Sequence, residues 1–350
     1  MTLNVALLGY GYAGKTFHAP LIAATPGLRL AAVASSDPAK VRADLPDAAV
    51  LPDADAVLAQ AHLDLVVIAT PNDTHADLAR RALQAGRHVV VDKPFTLTLA
   101  EAQGLATLAA SAGRVLSVFH NRRWDADFLT LSRLVADGSL GEVLALESRF
   151  DRFRPQVRQR WREAAVPGGG LWYDLGPHLV DQALRLFGPP DAVYADLALQ
   201  RPGAEAVDYC HVLLRYPRCR VLLHASMLVA GDSPRFAAYG TRGSYLKHGL
   251  DPQEDALKRG ECPGGPGWGQ DPRPGLLATA APDGTVTTTP VPGEPGDYPA
   301  YYAGIRDAIL GQGPNPVPSA EAVEVTAVLE LALESARQGR KLAFAAPGAG

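Results

Sequence analysis

Cysteine is scarce in this 350-residue chain: Cys210, Cys219 and Cys262 stand far apart and form no CxxC pair. That excludes a disulfide framework and the usual spaced zinc site, so no metal is expected. Positive charge is not in surplus either. The formal net charge is -4, which removes any general attraction to nucleic acid or to an anionic membrane. Long apolar runs are missing; none approaches the ~18–20 residues of a membrane span. The opening MTLNVALLGYG has neither a basic leader region nor a small-residue cleavage site, and together with the thiols this places the protein in the cytoplasm. Lysine is rare as well, at six of the 33 basic residues, so the choice of an ammonium over a guanidinium is informative where it occurs.

What is present is an alternation. The apolar runs Asn4–Leu8, Leu28–Ala34, Leu63–Thr70, His88–Val91 and Val115–Phe119 are separated by helical patterns such as Ala76–Ala85 and Leu99–Ala112. Buried strands spaced by helices predict a parallel, doubly wound sheet over residues 1–120. Beyond Phe119 the pattern changes. Strand candidates at Val143–Phe150, Val193–Leu199, Tyr209–Tyr216, Arg220–Met227, Phe236–Tyr239 and Val286–Thr289 predict a largely antiparallel open sheet. Helices are expected at about Phe128–Val135, from His178 to Phe187, at Tyr301–Leu310 and at Ala320–Arg337. The fold class is therefore α/β in two domains, 1–120 and 121–345, with 260–275 a Pro/Gly loop.

The first chemical motif, GYGYAG, follows strand one directly and precedes a helix, the order that dinucleotide binding requires. Gly9 allows the tight turn, Gly11 clears the approach of a diphosphate and Gly14 lets helix and strand pack, with Tyr12 and Ala13 in the loop between. At the tip of strand two an NAD site would carry an acid for the ribose hydroxyl. Here Ser35 and Ser36 occupy the tip, Asp37 is displaced, and Lys40 and Arg42 follow. Small hydroxyls with nearby cations favour the 2′-phosphate of NADP. An inward Asp37 would suit NAD, and a plain surface turn would leave Lys40 and Arg42 incidental. The cluster Thr70, Pro71, Asn72, Thr74 and His75 lies at the end of a strand, where open α/β sheets bind ligands; Asn72 and His75 are placed to contact the cofactor, although Asn72 or Thr74 can equally cap a helix. Asp92-Lys93-Pro94 occupies a further strand end, where a lysine can polarise a substrate hydroxyl.

In YDLGPHLVDQ, Asp174 and His178 stand four residues apart at what the sequence suggests is the start of a helix, with Pro177 in its first turn and the helix dipole keeping His178 neutral. His120, Arg122, Arg123 and Trp124 follow the last strand of the first domain, and Trp161, Arg162, Trp172, Tyr173 and Tyr301 are polar-tipped rings and cations suited to polyhydroxylated substrates. His18 is ambiguous between a cofactor cleft and a helix start.

GYGYAG, ATPNDTH, VDKPFTLT and the D-x-x-x-H of YDLGPHLVD together resemble the glucose-fructose oxidoreductase and inositol dehydrogenase family (Gfo/Idh/MocA) over nearly the whole chain. The lysine-proline element, most often Glu-Lys-Pro in that family, is Asp92-Lys93-Pro94 here. GYGYAGKTFHAPLI, FHNRRWDADFLTL and DRFRPQVRQRWRE are most similar to the branch containing NADP-linked scyllo-inositol dehydrogenase. The resemblance implies a Rossmann domain and an α/β domain with a nicotinamide at their junction. It also implies a catalytic trio of Lys93, Asp174 and His178, with His178 as the base and His120, Arg122, Trp161 and Tyr173 toward the substrate. The expected activity is NADP-linked oxidation of a secondary hydroxyl of a cyclitol or sugar. An aldose or keto-sugar reductase and a non-catalytic NADP(H)-sensing protein are the alternatives. A homodimer or homotetramer is expected from the second domain's exposed sheet.

Overall fold

The computed structural model describes residues 2–347. The chain forms two compact units. The first comprises the chain up to Asn121 together with Gln253–Trp268 and Asp297–Val323; the second comprises Arg122–Pro252, Gly269–Gly296 and the chain from Glu324 onward.

In the first unit the strands β1 (Leu3–Leu8), β2 (Leu28–Ala34), β3 (Ala49–Leu51), β4 (Leu65–Ile68), β5 (His88–Val91) and β6 (Leu116–Val118) are all parallel, in the order β3-β2-β1-β4-β5-β6. The runs of Val, Leu, Ile and Ala in β1, β4, β5 and β6 and the second half of β2 are almost completely buried, as a sheet covered by helices on both faces demands, while β3 is partly exposed. Those helices are α1 (Ala19–Ala24), α2 (Pro38–Asp44), α3 (Ala54–Leu58), α4 (His75–Gln84) and α5 (Leu99–Ala112). The reversal of strand order falls between β1 and β4, so the ends of these two strands form the switch point at which such sheets bind ligands.

The second unit contains α6 (Ala126–Ala136), β7 (Val143–Arg149), α7 (Leu171–Phe187), β8 (Ala192–Ala198), β9 (Tyr209–Arg215), β10 (Arg220–Ser226), β11 (Pro234–Gly240) and β12 (Gly243–His248). The chain then supplies α8 (Gln253–Lys258) to the first unit, β13 (Gly275–Ala280) and β14 (Val286–Val291) to the second, and α9 (Pro299–Ile309) to the first. It ends with α10 (Ser319–Gln338) and β15 (Leu342–Ala343). The nine-stranded sheet, β14-β13-β12-β11-β7-β10-β9-β8-β15, is antiparallel except for the β7–β10 pair. Val221, Leu223, Val212 and Leu214 are buried on the face that packs with α7, and Trp172 anchors that helix by donating from Nε1 to the Leu329 carbonyl at 3.1 Å.

Within the first unit, the start of α9 delivers Tyr298, Tyr301 and Tyr302 onto Phe17, His18 and Phe119, with ring centroids 5.0–6.4 Å apart. Tyr301 donates to Ser117 Oγ at 3.0 Å and Ser117 donates to the Val317 carbonyl at 2.9 Å. The nucleotide-binding sheet is thus completed by residues nearly 200 positions further along the chain, a contribution that the sequence pattern does not reveal.

Candidate active site

At the end of β1, Gly9 has φ 94°, and a Cβ there would stand 2.5 Å from the Ala69 carbonyl oxygen, so only glycine permits this approach to the end of β4. A Cβ on Gly14 would lie 2.2 Å from the Gly9 oxygen. At Gly11 it would meet nothing within 4 Å. Gly11 is therefore not needed for packing, and the space it leaves open suits the diphosphate of a dinucleotide, so the residues present fit that group. The chain continues through a π-helical segment, Gly14–His18, into α1. π-helical segments cluster at functional sites. Tyr12 is held from α8, donating to Glu254 Oε1 at 2.7 Å, with Lys258 3.1 Å from the same carboxylate.

At the β2 tip, Asp37 is turned into its own helix. Its carboxylate caps α2 by accepting from the Lys40 backbone N–H at 3.1 Å. Ser35 Oγ accepts from the Asp37 N–H, Ser36 is exposed, and Lys40 Nζ donates back to the Tyr10 carbonyl at 3.1 Å. Lys40 therefore stands over the glycine loop, where its charge can meet a phosphate.

The cluster after β4 is tied together internally. Thr70 and Thr74 hydroxyls are 2.6 Å apart, and Asn72 is buried. His75 is buried too, with Nδ1 2.8 Å from the Pro94 carbonyl and Nε2 3.0 Å from the Thr70 carbonyl. Burial pushes its pKa down, against the pull of Asp92 and the two carbonyls. The sequence places His75 toward the cofactor. In the structure both ring nitrogens serve the backbone, and His75 braces the loop of Thr70 against that of Lys93 and Pro94.

Asp92 accepts from the Lys93 N–H at 2.8 Å and lies 3.9 Å from His18 Nε2, a charge contact rather than a hydrogen bond. Burial acts to raise the Asp92 carboxyl, but His18, Lys93 and His75 outweigh it and hold the group below its ordinary range. His18 is fully buried, with Nδ1 2.7 Å from the Tyr302 hydroxyl, which resolves its ambiguity in favour of a place inside the fold beside Asp92. Lys93 is half-buried at the end of β5, and its peptide bond to Pro94 is cis. His120 is buried just after β6.

Asp174 and His178 lie one turn apart on α7, in the second unit. The expected helix start is wrong by seven residues. The helix begins at Leu171 after Gly170, Pro177 is inside it, and His178 lies in its third turn. The start is set by Leu171, Trp172, Leu175 and Leu179, which bury one face, and Gly176 leaves room for Trp172, since a Cβ there would be 2.7 Å from the indole. A helix dipole acts chiefly on the first turn, so it does not govern His178. Asp174 is ion-paired to Arg152 at 3.4 Å and to Arg162 at 3.9 Å.

The remaining candidates divide. Arg122 is buried against Asp125 at 3.1 Å and 4.7 Å above the Phe150 ring, and Arg123 is held by both oxygens of Asp181. Trp161 is partly exposed with Arg162 stacked 4.8 Å from its ring, and Tyr173 is half-buried on α7. Trp172 and Tyr301 are core residues with their polar atoms spent internally, so neither faces a substrate. Of the two arginines paired with Asp174, the sequence reading named Arg162 as a substrate contact but gave no role to Arg152. Their signal is the arginine-rich stretch DRFRPQVRQRWR, in which five of twelve residues are Arg. Among the described residues no three His, Cys, Asp or Glu side chains gather to hold a metal.

Residues 3–120 match the oxidoreductase family's NAD-binding Rossmann fold, and residues 132–344 match its C-terminal alpha/beta domain. The chain belongs to the Gfo/Idh/MocA oxidoreductase family. It is 56% identical to the uncharacterized oxidoreductase YdgJ of Escherichia coli over 98% of this chain and 99% of that one. It is 37% identical to the scyllo-inositol 2-dehydrogenase (NADP(+)) IolW of Bacillus subtilis, over 97% of this chain and 96% of IolW. The solved structure of YPO2259 from Yersinia pestis is 54% identical, superposes with a TM-score of 0.95 and covers 99% of this chain and 98% of its own. Membership makes the chain an oxidoreductase with a Rossmann nucleotide-binding domain, of the kind that acts on CH–OH groups.

Proposed function

We propose that this protein is an NADP-preferring dehydrogenase or reductase acting on a secondary hydroxyl of a cyclitol or sugar. The observation that carries the cofactor preference is Asp37. The one carboxylate at the β2 tip is spent on capping α2, so the tip offers the ribose two serines and, from Lys40, a cation. The name of IolW, at 37% identity, supports the substrate class and the cofactor.

When bound, the nicotinamide supplies the site that accepts or donates hydride. The chain's own residues handle the proton. His178 takes it from the reacting hydroxyl, because an imidazole titrates in the range useful to a general base. Lys93 is suited to donate a hydrogen bond to a substrate hydroxyl and favour its alkoxide, while Asp92 and His75 fix the backbone that presents it. Asp174, with two guanidiniums on its oxygens, is suited to hold a neighbouring substrate hydroxyl. In reduction the proton moves the other way.

We also propose a cytoplasmic homodimer or homotetramer. Tyr194, Leu213, Leu222, Ala237, Leu246 and Leu276 lie in register across the face of the second sheet opposite α7, interrupted by Glu147, and Tyr194 and Leu276 are at least 40% exposed. The functional test is absorbance at 340 nm across inositols, aldoses and ketoses with both cofactors. Turnover of a polyol with NADP(H) is expected, and tight NADPH binding without turnover of any member would refute the enzymatic reading.

A further inference from the structure

His18 is fully buried, yet only one of its two ring nitrogens has a hydrogen-bond partner among the described residues. It ends the π-helical turn Gly14–His18, which the Ala19 N–H closes on the Gly14 carbonyl. Phe17 and His18, adjacent in that turn, both meet Phe119, with ring centroids 6.4 and 4.4 Å away. From α9 the Tyr302 hydroxyl stands 2.7 Å from His18 Nδ1. On the other side of the ring, the unbonded Nε2 lies 3.9 Å from Asp92 Oδ1. All of these residues belong to the first unit.

These contacts select a tautomer. A phenol can donate to Nδ1 or accept from it. If Tyr302 accepted, the bare lone pair of Nε2 would face a carboxylate oxygen and be repelled. If Tyr302 donates, Nε2 carries the proton and its N–H dipole meets the negative charge. Burial, with Tyr301 and Asp92 adding to it, holds the Tyr302 phenol well above its usual range, so it remains a donor. The surroundings are buried and of low dielectric, which enlarges the preference for Nε2–H. Asp92 benefits from it. The oxygen that His18 faces is the one that accepts from the Lys93 N–H at 2.8 Å. Burial acts to raise the Asp92 carboxyl, and His18 is the largest influence holding it down, ahead of Lys93 from the same strand end and His75 from α4. A protonated Asp92 would be a weaker acceptor for the Lys93 N–H and would remove a negative charge from beside the lysine.

We propose that His18 is a positioning residue for Lys93: fixed in its Nε2–H form by Tyr302, it keeps Asp92 ionised against the Lys93 backbone and so sets the acid limit of turnover. This rests on the reading that Lys93 acts on the reacting oxygen. His18 itself touches neither substrate nor reacting atoms, and its effect passes through Asp92.

The test uses the full chain as wild type, His18→Phe and His18→Gln. Phe keeps a ring against Phe119 but has no N–H, whereas Gln restores an N–H donor that does not titrate. In the apoprotein labelled with 15N-histidine, the His18 imidazole signal, identified by its loss in His18→Phe, should show Nε2 protonated and Nδ1 bare. The chain has only six lysines, so 15N-lysine labelling isolates the Lys93 amide, which is identified by its loss in Lys93→Arg. That amide donates to Asp92, and its shift with pH follows the carboxyl. Its midpoint should rise by about one pH unit in His18→Phe, as when a partner within ~4–6 Å of a carboxylate is lost, and return toward the wild-type value in His18→Gln. The acid limb of kcat, read at 340 nm with NADP(H) and a polyol that turns over, should move to higher pH by the same amount. An Nδ1–H tautomer, an unchanged midpoint in His18→Phe, an equal rise in His18→Gln, or an acid limb that stays in place while the midpoint moves overturns the proposal. If no polyol turns over, the dehydrogenase reading fails, and the tautomer and the amide midpoint still decide this one. Circular dichroism checks folding, and His18→Leu, equally unable to donate, replaces His18→Phe if the latter does not fold.

Discussion

Replacing Gly11 with alanine separates the cofactor's space from the protein's own packing. Gly11 is exposed, its φ lies outside the left-handed region, and an added Cβ meets nothing within 4 Å. The folded apoprotein should therefore accept the methyl group, and the loss of chain freedom in the unfolded state should stabilise it by ~0.4–1 kcal/mol. For a unit of this size that is a rise of about 1–4 °C in Tm. NADPH should nevertheless bind at least tenfold more weakly, a loss of ~1.4 kcal/mol, because the methyl occupies the approach of the diphosphate. Gly14→Ala is the contrasting case. Its Cβ would be 2.2 Å from the Gly9 carbonyl oxygen, a backbone atom that cannot swing aside, and a destabilisation of ~1–3 kcal/mol or more is expected before any cofactor is added. Thermal unfolding of the apoproteins and fluorescence titration with NADPH measure both quantities. If Gly11→Ala binds NADPH as the wild type does, the open space beside Gly11 is not where the diphosphate lies.

Lys93→Ala and His178→Ala should each lower kcat by ~10²–10⁴ while NADPH affinity stays within a few fold; near-normal turnover of His178→Ala would remove it from the mechanism. Wild-type protein should bind NADPH at least tenfold more tightly than NADH, about 1.4 kcal/mol by titration, and reversed affinities would show that the Ser35-Ser36 tip is not the selector. Burial raises the Asp127 carboxyl to about 6, Arg235 and its neighbours opposing this. Because the folded state holds that proton more tightly than the unfolded chain, this contribution to stability is complete below pH ~4 and is lost as pH rises through 6, by ~3 kcal/mol. Urea denaturation should show this decline in the wild type relative to Asp127→Asn, and parallel pH profiles would contradict it.

Five of the six parallel strands were legible because their buried, largely apolar runs stand out, whereas the short, partly exposed β3 was not; GYGYAG was legible because the turn at Gly9 and the helix–strand packing at Gly14 demand glycine. Other parts were hidden for physical reasons. β12, with the sequence GSYLKH, buries Lys247 against Asp271 at 2.8 Å, so a charge that reads as exposed lies inside the fold. β13, GLLATA, was not anticipated because only its glycine is fully buried and its leucines do not alternate with polar residues, although its partner β14 was legible at Val286–Thr289. The start of α7 was obscured by Pro177, which reads as a first-turn residue although the spacing of Leu171, Leu175 and Leu179 had already begun the helix. At the site, local motifs pointed to Lys93, Asp174 and His178, while the guanidiniums around Asp174 come from segments up to 27 positions away in the chain, a convergence visible only in space.

The aromatic residues that α9 lays on Phe17, His18 and Phe119 bear on how the protein is made. A ribosome adding ~5–20 residues per second releases Phe119 roughly 9–36 s before Tyr298 to Tyr302 exist. During that interval the nascent nucleotide-binding sheet must leave a greasy edge uncovered, at Phe119 and Ser117, until translation is well past the second sheet. A gene fragment cut at residue 120 would keep the glycine loop and lose the residues that close over its neighbour, so a minimal cofactor-binding module has to be assembled by joining the two distant stretches.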